Sequence, residues 1–166
     1  MVRRMGIGLG CMILMAATGL RAQGPKATLQ PTQGNNVQGE INLMAMGSGV
    51  HFTGTVTGLA AGKHGFHVHE NGDCSAPDGS SAGAHFNPEK KAHGAPDAAE
   101  HHAGDLGNIE ADASGSAKVS IHMNGITIGP GANSVMGKAI IVHANPDDFS
   151  QPTGNAGGRL ACGVIK

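Results

Sequence analysis

The chain has 166 residues, among them 28 glycines and ten histidines, with neither tryptophan nor tyrosine. Its Lys and Arg total 11 against 12 acids, a net charge of −1 with histidine neutral, which argues against a nucleic-acid surface built on clustered cations. That length holds one domain, and the glycine-rich, aromatic-poor composition points to short strands joined by tight turns.

Residues 1–22 read as a secretory signal peptide. Arg3 and Arg4 supply a positive start, residues 5–20 carry no charge, and Ala22 offers a small side chain at the cleavage point. The apolar run is too short, and too broken by glycine, for a comfortable membrane span. Its removal would leave a domain over 23–166 with eight bases against twelve acids, four negative charges in excess. Arg159 would then be the sole arginine, and Cys74 and Cys162 the two remaining cysteines. An even cysteine count in an exported chain suggests a disulfide, in the periplasm or outside the cell. Such a bridge would close a loop of roughly ninety residues and contribute about 4–5 kcal/mol by lowering the entropy of the unfolded chain.

Residues 23–31 read as a polar lead-in. Beyond them apolar and polar residues alternate with the period of a half-buried strand, cleanly over 37–43 and 50–56 and again over 65–69. The stretch 70–104 is dense in Gly, Pro, Ala, Asn and Asp, has no periodicity and reads as a loop. Strands resume at 106–111 and 117–121 around a Ser114-Gly115 turn, and again at 138–143 and 160–165. A second loop covers 147–158. With no convincing helix and no internal repeat, the fold class is all-β, a sandwich or barrel carrying two loops of functional length.

Histidine position gives those loops a purpose. His67 and His69 are two apart in a strand, so both imidazoles leave one face while Phe66 and Val68 leave the other. The long loop then carries His85, His93 and His102, followed by Asp105; three imidazoles and a carboxylate make a complete tetrahedral zinc set. His143 ends the apolar Ile140-Ile141-Val142 strand. His51, His64, His101 and His122 take plainer readings: solvated strand positions, with His64 a structural hydrogen-bonder.

These residues sit in segments that resemble one known family. Gly65-Phe66-His67-Val68-His69-Glu70, Gly72-Asp73-Cys74-Ser75, Ala84-His85-Phe86-Asn87-Pro88 and His93-Gly94-Ala95-Pro96 are similar to signatures of the copper/zinc superoxide dismutases. So are His102-Ala103-Gly104-Asp105-Leu106-Gly107-Asn108, Val142-His143 and the segment from Gly154 to Gly163 that contains Arg159 and Cys162. The likeness runs in order from about Val37 to the end of the chain. It implies an eight-stranded Greek-key barrel or sandwich, Ig-like in architecture, with copper held by His67, His69, His85 and His143. Zinc would be held by His85, His93, His102 and Asp105, with His85 shared, and Asp147 would orient His67 and His93. The implied reaction is disproportionation of superoxide to dioxygen and hydrogen peroxide by a Cu(II)/Cu(I) cycle, with Zn(II) structural. His85 would manage the proton, and Arg159 would guide the anion in a molecule whose overall charge repels it.

The resemblance also carries a homodimer as an expectation. The loop before Arg159 is shorter than in typical eukaryotic members and lacks their run of charges. A rival reading is a secreted metal-binding or metal-delivery protein on the same scaffold, without turnover. The Gly79-Ser80-Ser81-Ala82-Gly83 match to a hydrolase elbow lacks the following helix pattern that such an elbow needs.

Overall fold

A computed structural model describes residues 24–166, and the signal peptide read at 1–22 lies outside the described residues. Where the sequence alternates, the chain forms strands. They are β1 (Lys26–Pro31), β2 (Gln38–Met46), β3 (Gly49–Thr57) and β4 (Gly62–His69), then β5 (Asp105–Ala111), β6 (Ala117–Asn124), β7 (Ala139–His143) and β8 (Arg159–Val164). Every pairing is antiparallel, and the hydrogen-bonded ring β1-β2-β3-β6-β5-β4-β7-β8 closes on itself. Two crossings, from β3 to β4 and from β6 to β7, make it a Greek key. The all-β, eight-stranded expectation holds.

One strand was not legible locally. Residues 26–31 are not a lead-in but β1, paired to β2 on one side and to β8 on the other. Only Ala27 and Leu29 point inward from it, at 0% and 1% exposure. Two apolar positions among Lys, Thr, Gln and Pro carry too little period to announce a strand. Its neighbours make it one by satisfying its backbone on both edges, which leaves the sheet without an exposed edge.

Inside, the period-two pattern delivers Ile41, Leu43, Val50, Phe52, Phe66, Val68, Ile140 and Val142 to a common core. Fully burying each large side chain of this set stabilises the fold by about 1.5–3 kcal/mol. The same alternation sends Ala139 and Ile141 of β7 outward, where they are nevertheless fully buried. Ala82 of the long loop, Cys74 and Cys162 pack on them. The loop 70–104 therefore lies across the outside of the barrel wall and makes a second, smaller apolar layer there. The Ser80–Ala82 segment of that loop is a single 3-10 turn, with no strand-to-helix elbow.

Candidate metal centre

β4 has β5 on one side and β7 on the other, so the wall behind its outward face is continuous. His67 and His69 leave that face as their spacing predicts, and the covering loops bury both, at 0% and 1% exposure. An isolated bridge from His69 to His85 docks the long loop against the strand. Asp105 opens β5 beside His67. His143 closes β7, and Arg159 is its cross-strand partner at the start of β8. Cys74 is bonded to Cys162 across 88 positions of sequence, as the cysteine count suggested.

Seven side chains gather here in two overlapping groups. In each, one ligand atom per residue lies within 4.8 Å of every other: His67, His69, His85 and His143 in the first, and His85, His93, His102 and Asp105 in the second. His85 belongs to both; its ring centroid is 4.1 Å from that of His67 and 5.3 Å from that of His93. Residues expected together from the sequence are together, and all seven are buried.

Hydrogen bonds determine which nitrogen of most rings is free. Asp147 lies 2.8 Å from His67 Nε2 through Oδ2 and 3.0 Å from His93 Nε2 through Oδ1. A carboxylate only accepts, so both rings carry their proton on Nε2 and present a lone pair on Nδ1. His69 donates from Nδ1 to the Gly83 carbonyl at 2.9 Å, and His143 from Nδ1 to the Gly157 carbonyl at 3.3 Å. Their Nε2 lone pairs then face one another across 3.4 Å.

Those lone pairs supply the test of whether the residues suit a cation. His67 Nδ1, His93 Nδ1 and His102 Nδ1 are buried without a hydrogen-bond partner. Yet His93 Nδ1 and His102 Nδ1 come within 2.9 and 3.2 Å of the Asp105 oxygens. For His93, whose proton is on Nε2, the Nδ1 lone pair and the Asp105 oxygen converge without a hydrogen between them, and buried acceptors so placed are destabilised unless a cation sits at their focus. The donor set fits: imidazoles alone in the first group suit copper, and three imidazoles with a carboxylate in the second suit zinc.

Burial favours the neutral form of four of these rings. Burial pushes His143 down to about 3 and holds His69 well below the ordinary histidine range, opposed in His69 by the Gly83 bond. Burial also lowers His67 and His102. Burial alone would raise Asp105, but a hydrogen bond from His85, another from the His102 backbone N–H and the surrounding imidazoles bring it far below the carboxylate norm. Asp147 behaves the same way: burial opposes ionisation, and the bonds from His67 and His93 outweigh it.

His69, His85, His143 and Arg159 line an open cavity of about 190 Å³, with Thr153 and Asn155 of the second loop on its rim. Arg159 donates from Nη1 to the Gly79 carbonyl at 2.7 Å and from Nη2 to the Gly83 carbonyl at 2.6 Å. Gly83 thus receives both the arginine and His69. A larger hollow of about 380 Å³ lies between Lys26, Lys166 and the disulfide, and gathers no metal-ligating set.

A match to the family model of copper/zinc superoxide dismutase spans residues 37–165. The chain belongs to the copper/zinc superoxide dismutase family. Among curated dismutases, "Superoxide dismutase [Cu-Zn] 2" of Mesembryanthemum crystallinum is 47% identical over 139 residues, covering 79% of this chain and 88% of that protein. The "Extracellular superoxide dismutase [Cu-Zn]" of Caenorhabditis elegans is 46% identical over 134 residues, which cover 76% of this chain and 60% of that longer protein. Among solved structures, that of the clock protein EA4 superposes with a TM-score of 0.77 at 38% identity, over 89% of this chain and 96% of that one.

Several supports of the dismutase site escaped the sequence reading. Asn108 clasps the Asp147 backbone, donating from Nδ2 to its carbonyl at 2.9 Å and accepting its N–H at 2.7 Å. Gln151 does the same for His93, at 2.7 and 3.2 Å. The carbonyls of Gly83 and Gly157 orient rings through their main chain and so left no residue-type signal. His64, read as a structural hydrogen-bonder, is buried with Nδ1 2.8 Å from the His143 carbonyl and Nε2 2.9 Å from the Ala60 carbonyl.

Proposed function

We propose that the protein disproportionates superoxide, with His67, His69, His85 and His143 holding copper and His85, His93, His102 and Asp105 holding zinc. Two superoxide anions and two protons give one dioxygen and one hydrogen peroxide. Bound copper supplies a one-electron couple between Cu(II) and Cu(I), whereas zinc has no redox chemistry. The residues do the rest. Arg159 keeps two of its five N–H donors on carbonyls and turns the remaining charge toward the cavity, where it draws in and orients a small anion. Asp147 holds His67 and His93 in one tautomer each. His85 is the ring common to both groups, so it can take a proton at the nitrogen facing the first group, stay anchored in the second and release that proton to the peroxide.

The observation that carries this reading is the membership of His85 in both groups on the wall of a cavity that also holds Arg159. The deciding experiment is superoxide consumption by protein shown by elemental analysis to hold one copper and one zinc. Full metal content without consumption would favour the metal-delivery alternative. Arg159→Ala is expected to slow consumption at low salt on the order of tenfold and to flatten its salt dependence, with metal content unchanged. Equal rates in the two proteins would remove the guiding role.

Export belongs to the same proposal. It is supported by the apolar run at 5–20 and the Cys74–Cys162 bridge, and gives a mature domain over 23–166 in the periplasm or outside the cell. So does the homodimer implied by family resemblance, which sedimentation of the processed protein would reveal.

A further inference from the structure

On the barrel wall formed by β2, β3 and β6, the outward face carries an arrangement that the dismutase chemistry does not use. Met44 of β2 is directly opposite His51 of β3, and His51 is directly opposite His122 of β6. Directly opposed residues on one face have Cβ atoms about 4.5–5.5 Å apart, so the three side chains form one row across the sheet. Met46 stands two positions along the same face. Met44 and Met46 are 58% and 46% exposed, two of the three large exposed apolar side chains among the described residues.

The two imidazoles of the row stand close together. The ring centroids of His51 and His122 are 6.4 Å apart, the separation also found for His67 and His69 in the interior. His51 Nδ1 is buried without a partner, and its Nε2 reaches only Ser120 Oγ, at 3.5 Å. The other buried ring nitrogens without a partner, Nδ1 of His67, His93 and His102, all belong to the interior groups, so this one points to a ligand as they do. His122 is exposed and bonded through Nε2 to Asn124 alone.

We propose that Met44, His51 and His122 form a surface site for monovalent copper, separate from the interior pair of sites. The thioether is what favours monovalent copper: soft sulfur suits Cu(I), calcium and magnesium take sets of oxygen donors, and the two imidazoles alone would suit zinc as well. Glu40 on the same strand face is engaged by Lys26 at 2.8 Å, and Asn42, Thr53, Ser120 and Asn124 are neutral. The Cys74–Cys162 bond removes both cysteines of the described residues as competing thiols.

The test starts from protein already loaded with copper and zinc and adds Cu(I) anaerobically, in competition with a chromogenic Cu(I) chelator. One further equivalent is expected to bind, unaffected by excess Zn(II). Met44→Leu and His122→Gln, both exposed and isosteric enough to keep the fold, are each expected to weaken that equivalent at least tenfold. Superoxide consumption should be unchanged in both. Absence of a further equivalent overturns the site. So does a further equivalent that persists undiminished in either variant, since it would then be held elsewhere or without the named residue. Because neither variant touches the interior groups, failure here leaves the dismutase reading standing.

Discussion

Asp147 shows how much one side chain can decide. Its two oxygens take the protons of His67 and His93, which lie in different groups, so a single carboxylate sets the free lone pair on a ring of each. Asp147→Ala is expected to weaken metal retention about 10–100-fold in both groups, because it frees one ring of each. Competition with a graded series of chelators would read this, and retention equal to that of the unaltered protein would contradict it. The seven gathered side chains were legible because histidine spacing on a strand and along one loop is a chemical pattern in residue types. Asp147 was legible only through resemblance, since an aspartate in a Pro-Asp-Asp turn carries no mark of its own. Asn108 and the carbonyls of Gly83 and Gly157 were not legible at all: they work through main-chain contacts, which no side-chain pattern records.

Among elements, strands declared themselves in proportion to the apolar positions they turn inward. Residues 37–43 and 50–56 place several such residues in the core, whereas β1 places two and is held by β2 and β8. The loops were recognisable as loops, but not their path, which depends on tight points such as Gly154. That residue has φ of 71° and lies against Asp147 Oδ1 and His93 Nε2, so a Cβ would collide with both. Gly154→Ala costs roughly 1–2 kcal/mol for the left-handed backbone alone. It also drives the carboxylate off the rings. The expected outcome is a folded barrel by circular dichroism that loses zinc to a chelator at least tenfold faster than the parent. Unchanged zinc release would mean that the loop adjusts without moving Asp147.

The molecule as a whole assembles its donors by forcing neutral imidazoles into a dry wall, and acid acts on that directly. The folded-state values of His67, His69, His102 and His143 are lowered, that of His143 to about 3, whereas the unfolded chain titrates near 6.5. Below 6.5 the unfolded chain takes up protons that these folded rings refuse, so metal-depleted protein loses stability as pH falls. Asp105 and Asp147, also lowered, add to the loss below 3.8. The melting temperature of the metal-depleted form should therefore drop steadily from pH 7 to pH 4, and a flat profile would refute this.

The bridge between Cys74 and Cys162 lies outside the ring of strands, and the loop it pins is the one whose Gly79 and Gly83 carbonyls grip Arg159. Cys162→Ser, or a mild reductant, should then do two separable things. Stability falls by up to about 4–5 kcal/mol. Below the melting point the β-sheet spectrum persists while superoxide consumption declines, because the guanidinium loses its footing although the wall behind it is intact. The covalent state of two sulfur atoms thus acts as a throttle on the entrance, leaving the vessel itself whole.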